Sequence, residues 1–523
     1  MTLPTDEAQR PVLCRHADVV AAANDPATFS SAVSRFLQVP NGLDGEAHRA
    51  ARELLDPFFA PDRMAAVEPV LREVATRLVS SLPFGQPVDA VDDVGARFAV
   101  HAQSAWLGWP AGLAEDLLAW MDDNRAATRS GDLERTTEVA DRFDALIRSL
   151  VAPRRAAGAP HDLTTELVQL RDAEGHLLSD EVLVSVLRNW TGGDLGSLAL
   201  CTGVVAHWLA THPEHQDELA SASDAELVAA IDEILRMDDP FVSNRRVTTA
   251  ETVVGGVPLP AGEQVVLHWT AANRDPEVFG DPDRFDPHRN AAANLVYGVG
   301  PHVCPGRPLA TLELRVLTRE LLTRARLEPA AEPAEREQPP LGGFARVPLV
   351  LRRRLPAVAG EPLLATVITV SDEVAAGLDA DRGGPVAEAL LAEAGCAVTR
   401  TVVPDDEARL EAAITAAIDA GSRFVMTCGG TGIGPKDRTP EVVCRLLSFE
   451  MPGIAEEIRR RGIAHAKPAL VSREVAGAIV PASGAPVFVV AAPGSRGGVR
   501  DALEVVGPVL GYVIEQLDGA GHV

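Results

Sequence analysis

Lysine is nearly missing from this 523-residue chain: it occurs only at Lys436 and Lys467, so almost every cation is arginine. Basic residues are also outnumbered, 48 Lys and Arg against 74 Asp and Glu. The formal charge of −26 argues against a phosphate backbone or an anionic membrane surface as a partner. Cysteine is sparse and scattered. Positions 14, 201, 304, 396, 428 and 444 show no paired spacing, which fits a reducing cytoplasm rather than a disulfide framework. No apolar run reaches the ~18 residues of a membrane span, and MTLPTDEAQR has no basic-then-apolar leader. The expectation is a soluble cytoplasmic protein that binds neither nucleic acid nor membrane. Hydrophobic residues, at 46%, suffice for sizeable cores. A prior of ~150 residues per domain accommodates two domains comfortably.

What is present concentrates first in Leu295 to Ala310, LVYGVGPHVCPGRPLA. Gly298, Gly300 and Gly306 surround Cys304, with His302 two residues upstream. Glycines at this density let a backbone approach a flat ligand closely. Amides turned toward the sulfur favour the thiolate, the form that binds iron. Leu309 to Leu322 reads as a helix whose N-terminus also favours negative charge. This stretch resembles the haem-binding loop of the cytochrome P-450 family, Phe-Gly-x-Gly-x-His-x-Cys-x-Gly. Every defined position matches except the first, where Tyr297 stands for Phe. The resemblance implies haem b with Cys304 as the axial ligand of its iron.

Residues 1 to about 324 show mostly helical periodicity. Asn41 to Pro57 reads as turn and helix, with His48 and Arg52 four apart on one face. In the family a His and Arg at this spacing hold a haem propionate, and Arg246 and His302 fit as further cations. Asp180 to Ala210 is a long helical pattern interrupted by Gly192-Gly193-Asp194-Leu195-Gly196-Ser197. Glycines inside a helix cost roughly 1 kcal/mol each against alanine, so the run needs a reason. By resemblance this is the central helix that crosses the haem and widens to admit O2. The family's proton-delivering acid–threonine pair is altered here: Gly196 and Ser197 occupy those positions. Asp194 one turn earlier is the candidate acid beside Ser197, and Asn189-Trp190 resembles a bacterial subgroup with this altered helix. Glu233 and Arg236 match the family's buried Glu-x-x-Arg pair, with Arg284 of Pro282-Asp283-Arg284-Phe285 as the expected third, structural member. The pattern is entered late, near Pro11-Val12-Leu13, so the resemblance implies a haem domain short at its N-terminal side.

LEPAAEPAEREQPP is acidic and proline-rich, a composition that builds no core. LGGFARVPLVLRRR alternates like a strand pair and resembles the family's closing hairpin. The expected division is 1–354 for the haem domain, a linker at 355–362, and 363–523 for a second domain.

From Leu363 strands and helices alternate, which predicts an α/β three-layer domain with a mostly parallel sheet. Ligands in such sheets bind beyond the C-terminal strand ends, where Ser371-Asp372, Gly429-Gly430-Thr431-Gly432 and Pro493-Gly494-Ser495 all fall. The run TCGGTGIGPKDRTPE resembles the MoaB/Mog family of molybdenum-cofactor biosynthesis, the molybdopterin adenylyltransferases. By that resemblance Asp405 and Asp437 form an acidic pair serving ATP and Mg2+, and Gly429 to Gly432 with Ser495 contact molybdopterin. The chain departs from the pattern at Cys428, Lys436 and Arg496, which stand for threonine, arginine and proline. The resemblance implies a homotrimer or homohexamer.

The combined expectation is a mainly-α haem-thiolate monooxygenase joined to this second domain. With no flavin or iron–sulfur motif in the chain, electrons would come from a ferredoxin or similar donor with its reductase, to hydroxylate a small organic substrate with O2. Two alternatives stand beside it: molybdopterin adenylyltransfer with a regulatory haem domain, and a second domain that serves oligomerisation alone.

Overall fold

The computed structural model describes residues 3–156, 158–353 and 362–519. The chain divides into two compact units, Met1–Arg353 and Arg354–Val523. The tether expected at 355–362 lies, except for Pro362, outside the described residues.

In the first unit a central helix, Asp180–Thr211, is the axis. The Ser179 hydroxyl accepts the Val182 amide at 3.3 Å and so caps its start. Leu183, Val186, Leu187, Leu195, Leu198, Ala199, Val204 and Leu209 are buried around its circumference, as expected of a helix enclosed by others. Arg97–Leu107 and Leu133–Arg154 pack on it, as does Arg307–Arg324, the helix that follows the cysteine loop. The observed bounds of this last helix enclose the predicted Leu309 to Leu322.

A four-stranded sheet, in the order Val12–Leu13, Gln264–His268, Ser243–Thr248 and Phe29–Ser30, flanks the helices. The expected closing hairpin does not form. Phe344–Arg346 pairs with Glu335–Arg336, while Pro348–Arg353 is the middle of a different sheet, between Pro87–Asp89 and Ala325–Pro329. The acidic, proline-rich stretch therefore supplies two strand edges, because each proline there lies at a strand end or outside the ladder.

The second unit is a three-layer α/β fold. Its six-stranded sheet runs Ala397–Val403, Leu364–Val370, Phe424–Cys428, Val487–Ala492, Val475–Ile479, Phe449–Glu450, with the first four strands parallel. Each face has its own core. Val367, Met426 and Val490 meet helices Gly384–Glu393 and Arg496–Leu517 on one side. Ile368, Val425 and Val489 meet Glu407–Asp419 and Thr439–Leu446 on the other. The two antiparallel strands at one end of the sheet were not legible in the sequence, since VAGAI is too poor in large residues to show alternation. Among the described residues of the chain, no helix is long and apolar enough to cross a membrane.

Candidate functional site

The cysteine loop is shaped by its glycines. Gly300 has φ +78°, and a Cβ there would sit 2.6 Å from the Ala23 carbonyl oxygen. The Cys304 amide donates to the Tyr297 carbonyl at 2.9 Å, folding the loop back on itself. Cys304 is open to solvent, so its sulfur can be reached by a ligand. Burial pushes the thiol up. The nearby Gly306 and Arg307 amides and the Arg52 cation pull the other way, while Asp194 adds to the rise, and the Arg307 amide donates to the Cys304 carbonyl at 3.4 Å. The Tyr297 ring lies beneath the Arg307 guanidinium at 5.0 Å, and its buried hydroxyl accepts from Thr311 at 3.3 Å, the partner that this added oxygen requires.

His48 and His302 meet with ring centroids 4.1 Å apart. Nε2 of His302 faces Asp44 Oδ1 and Ser31 Oγ, each at 3.2 Å. His302 was expected as a cation. Burial, with His48 and Arg246 nearby, instead brings its pKa down to about 4 and leaves it neutral near pH 7. Arg52 binds Asp56 at 2.6 Å and the carbonyls of Pro301 and Val303 at 3.3 and 2.9 Å, so it stitches the cysteine loop to its own helix. Arg246 is buried, bonds the Arg245 carbonyl at 2.8 Å, and makes no ion pair among the described residues. A buried guanidinium without a counter-charge is costly and calls for an anion.

Asp194 and Ser197 share the central helix but do not hydrogen-bond. The Asp194 carboxyl lies near Glu313, which was not singled out in the sequence, but Asp194 Oδ2 and both Glu313 oxygens have no hydrogen-bond partner among the described residues. At Gly193 and Gly196 an added Cβ would meet nothing within 4 Å, so this helix face opens on space in the middle of the unit. An accessible sulfur with amides nearby, a helix face cleared of side chains and an unpaired buried cation match what a haem presents: iron, a flat ring and carboxylate arms. The residues present fit the group.

Glu233 and Arg236 form a buried ion pair at 2.7 and 3.0 Å. Arg236 also donates to the carbonyls of Asn273 at 2.8 Å and Pro282 at 3.0 Å, and Glu233 accepts from the Asp286 amide at 3.0 Å and Asn290 Nδ2 at 2.7 Å. The expected third member, Arg284, is outside this cluster. Its side chain is 66% exposed and, among the described residues, reaches only Asp286, at 3.8 Å. Phe285, next in the chain, packs on Trp208 at 4.6 Å and so turns Arg284 outward. Asn290 occupies the third place.

In the second unit, Gly430 at φ +63° lies so close to Thr439 that a Cβ would sit 2.3 Å from its Oγ1. Asp405 and Asp372 each accept the other's amide, at 2.9 and 3.0 Å. Burial, Asp372 and Asp437 raise Asp405, so the two predicted acids are neighbours at one sheet end. Lys436 pairs with Asp372. Asp437 Oδ2 accepts the Gly434 amide at 2.7 Å, Thr431 Oγ1 and Ser472 Oγ lie 3.3 Å apart, and Ser495 caps Arg496–Leu517 through the Gly498 amide at 3.1 Å. Gly494 abuts Gly429, where its Cβ would sit 3.2 Å from that Cα, so the two glycine turns converge. Asp381, unnoticed in the sequence, ties Thr369, Arg400 and the Gly384 amide together at 2.8–2.9 Å. Among the described residues, no group of three His, Cys, Asp or Glu side chains converges to hold a metal alone.

The first unit thus has the architecture of a haem-thiolate protein. A family model described as Cytochrome P450 matches residues 111–351. Erythromycin C-12 hydroxylase of Saccharopolyspora erythraea is 33% identical over 365 residues, 66% of this chain and 88% of that protein. Vitamin D(3) 25-hydroxylase of Pseudonocardia autotrophica is 33% identical over 60% of this chain and 77% of its own length. The solved structure of a mutant of P450 EryK in complex with erythromycin B superposes with a TM-score of 0.60 at 30% identity, covering 67% of this chain and 93% of that one. The chain belongs to the cytochrome P450 family, and is a monooxygenase-type oxidoreductase by that membership. Its second unit matches the family model described as "Probable molybdopterin binding domain" over residues 366–512.

Proposed function

We propose that this protein is a haem-thiolate monooxygenase that hydroxylates a small organic substrate with O2, taking electrons from a ferredoxin-type carrier and its reductase. The observation that carries the reading is the solvent-open Cys304 in its glycine-rich loop, with Gly306 beside its sulfur. Bound haem supplies the oxidising chemistry. Cys304 would hold its iron, and the nearby Gly306 and Arg307 amides would steady the sulfur's negative charge. Arg246 and His48 would receive the propionates, and an anion placed there would draw His302 back toward its protonated form. Arg52 would fix the loop rather than the haem. Gly193 and Gly196 keep the central helix clear where O2 and substrate must fit. Asp194 and Ser197 would handle protons. The test is the reduced carbon-monoxide Soret band of a thiolate-ligated haem in the full-length protein. Cys304→Ala is expected to abolish it; an unchanged band would show that another residue is the ligand.

For the second unit the reading is a molybdopterin binder or assembly scaffold. Adenylyltransfer remains the alternative because Asp405 and Asp437 lie together beside the Gly429–Gly432 turn. Magnesium would then arrive largely coordinated by nucleotide phosphates. Adenylyl-molybdopterin formed from ATP and Mg2+, and lost in Asp405→Asn, is the expected result under that alternative. Sedimentation of the full chain separates the scaffold, which requires a trimer or hexamer, from a monomer.

A further inference from the structure

The loop that carries Asp437 has no regular structure of its own. Residues 429–438 lie outside every helix and strand, between Phe424–Cys428 and Thr439–Leu446. Within the loop the Asp437 amide reaches the Gly434 carbonyl at 3.1 Å, and Asp437 Oδ2 accepts the Gly434 amide at 2.7 Å. Both bonds are internal, so they do not fix where the loop stands. The Lys436 pair with Asp372 is exposed and restrains it little. Arg473 does the rest. Its Nε donates to the Gly432 carbonyl at 2.7 Å, Nη1 to Glu441 Oε1 at 2.6 Å and Nη2 to the Asp437 carbonyl. Its own amide donates to the Thr431 carbonyl at 2.9 Å. All three guanidinium nitrogens thus face acceptors of this chain. A planar fork reaches three such acceptors at once, whereas an ammonium is a single point.

Arg473 is itself held from behind. The carbonyl of Ser472 accepts Arg459 Nε at 3.0 Å, and the enclosed carboxyl of Glu474 meets the same nitrogen at 3.3 Å. Arg459 belongs to helix Pro452–His465, and the chain after Glu474 enters strand Val475–Ile479 of the sheet. The fork therefore stands on rigid elements. The Gly429–Gly432 turn lies between the two acids. A Cβ at Gly430 would sit 3.6 Å from Asp405 Oδ1, and one at Gly432 would sit 2.6 Å from Asp437 Oδ2. A group that fixes the Gly432 and Asp437 carbonyls together sets where the Asp437 carboxyl stands relative to Asp405.

We propose that Arg473 is a positioning residue of the second unit's ligand site: its fork holds the Gly432 and Asp437 carbonyls so that the Asp437 and Asp405 carboxyls face one nucleoside triphosphate carried with Mg2+. The inference rests on the adenylyltransfer alternative. In that reaction a phosphate oxygen of molybdopterin bonds to the α-phosphorus of ATP as the bond to pyrophosphate breaks, and nothing is oxidised or reduced. Arg473 touches neither reactant. It acts through Asp437.

The test uses the full-length protein with molybdopterin, ATP and Mg2+, and the variants Arg473→Ala, Arg473→Lys and Asp437→Asn, alone and combined. Arg473→Ala should lower kcat roughly tenfold or more, since a misplacement near 1 Å costs about 10²-fold. In an Asp437→Asn background the same change should cost less than about twofold, because no carboxylate is left to place. An arginine that only supports the fold would cost the same factor in both backgrounds, and one that binds phosphate would raise the KM for ATP in both. Either result overturns the proposal. Arg473→Lys keeps the charge without the fork and should stay impaired; full activity there also overturns it. The second readout is hydrogen exchange. Peptides covering 429–438 should exchange faster in Arg473→Ala while strand Val487–Ala492 stays protected, and unchanged exchange counts against the brace. Should Arg473→Ala unfold the unit, Arg473→Lys is read by the same two measurements. Unaltered protein that makes no adenylyl-molybdopterin would refute the adenylyltransfer reading instead, and exchange in the loop would still decide whether Arg473 braces it.

Discussion

Replacing Arg236 by alanine should injure the first unit far more than replacing Arg284, although the sequence pattern pairs both with Glu233. Arg236 is fully buried, makes two bonds to Glu233 at 2.7 and 3.0 Å and two to backbone carbonyls, and places its cation 4.7 Å from the Phe279 ring centre. Removing one partner of a buried pair costs about 3–5 kcal/mol, because the other charge is left enclosed. The Asp286 amide and Asn290 still solvate Glu233, which holds the expected loss near about 4 kcal/mol rather than higher. Arg284→Ala breaks only an exposed 3.8 Å contact and should change stability by under about 0.5 kcal/mol. Urea unfolding followed through the haem Soret absorption reports on the first unit alone. If the two variants fall within about 1 kcal/mol of each other, the assignment of Asn290 in place of Arg284 is wrong.

Arg246→Leu should leave the apoprotein as stable or more so, yet release haem about 10- to 100-fold faster, as expected for a lost charge-assisted bond of about 1.5–3 kcal/mol; transfer of haem to a scavenger protein measures it. Asp232 is raised to about 6, mainly by burial and against the pull of Arg307. Its cost is therefore absent at pH 4, grows between about 4 and 6, and is complete above. Asp232→Asn should stabilise the protein by about 1–2 kcal/mol at pH 8 and by nothing at pH 4, read from denaturant midpoints at the two pH values. Gly430→Ala should destabilise the second unit by at least about 1–2 kcal/mol from its left-handed backbone alone, seen as faster hydrogen exchange in peptides spanning 424–446.

The parts of the site legible in the sequence were those whose chemistry is local. Cys304, its glycines and the helix behind it lie within one short stretch, and the long helix around Asp194 declared itself by apolar periodicity. Contacts between distant segments were hidden. Glu313 looks like any helical acid until the central helix is laid across it, and Asn290 gains its role only when its turn folds against Glu233, 57 residues away. Strand partners were also illegible. The alternation in LGGFARVPLVLRRR marks strands correctly but does not say that Pro348–Arg353 joins Pro87–Asp89 instead of its own neighbour. The surroundings of His302 were hidden for the same reason, since His48 and Arg246, which lower its pKa, come from two other segments.

Pro348–Arg353 is also the last strand before the chain leaves for the second unit, and it is laddered on both edges, to Ala325–Pro329 and Pro87–Asp89. Residues 351–353 pair only with Ala325–Pro329, while 349 and 350 are held on both sides. Fraying from the strand's end must therefore open one ladder before it reaches the residues that also hold Pro87–Asp89, which keeps the first unit's last strand in register.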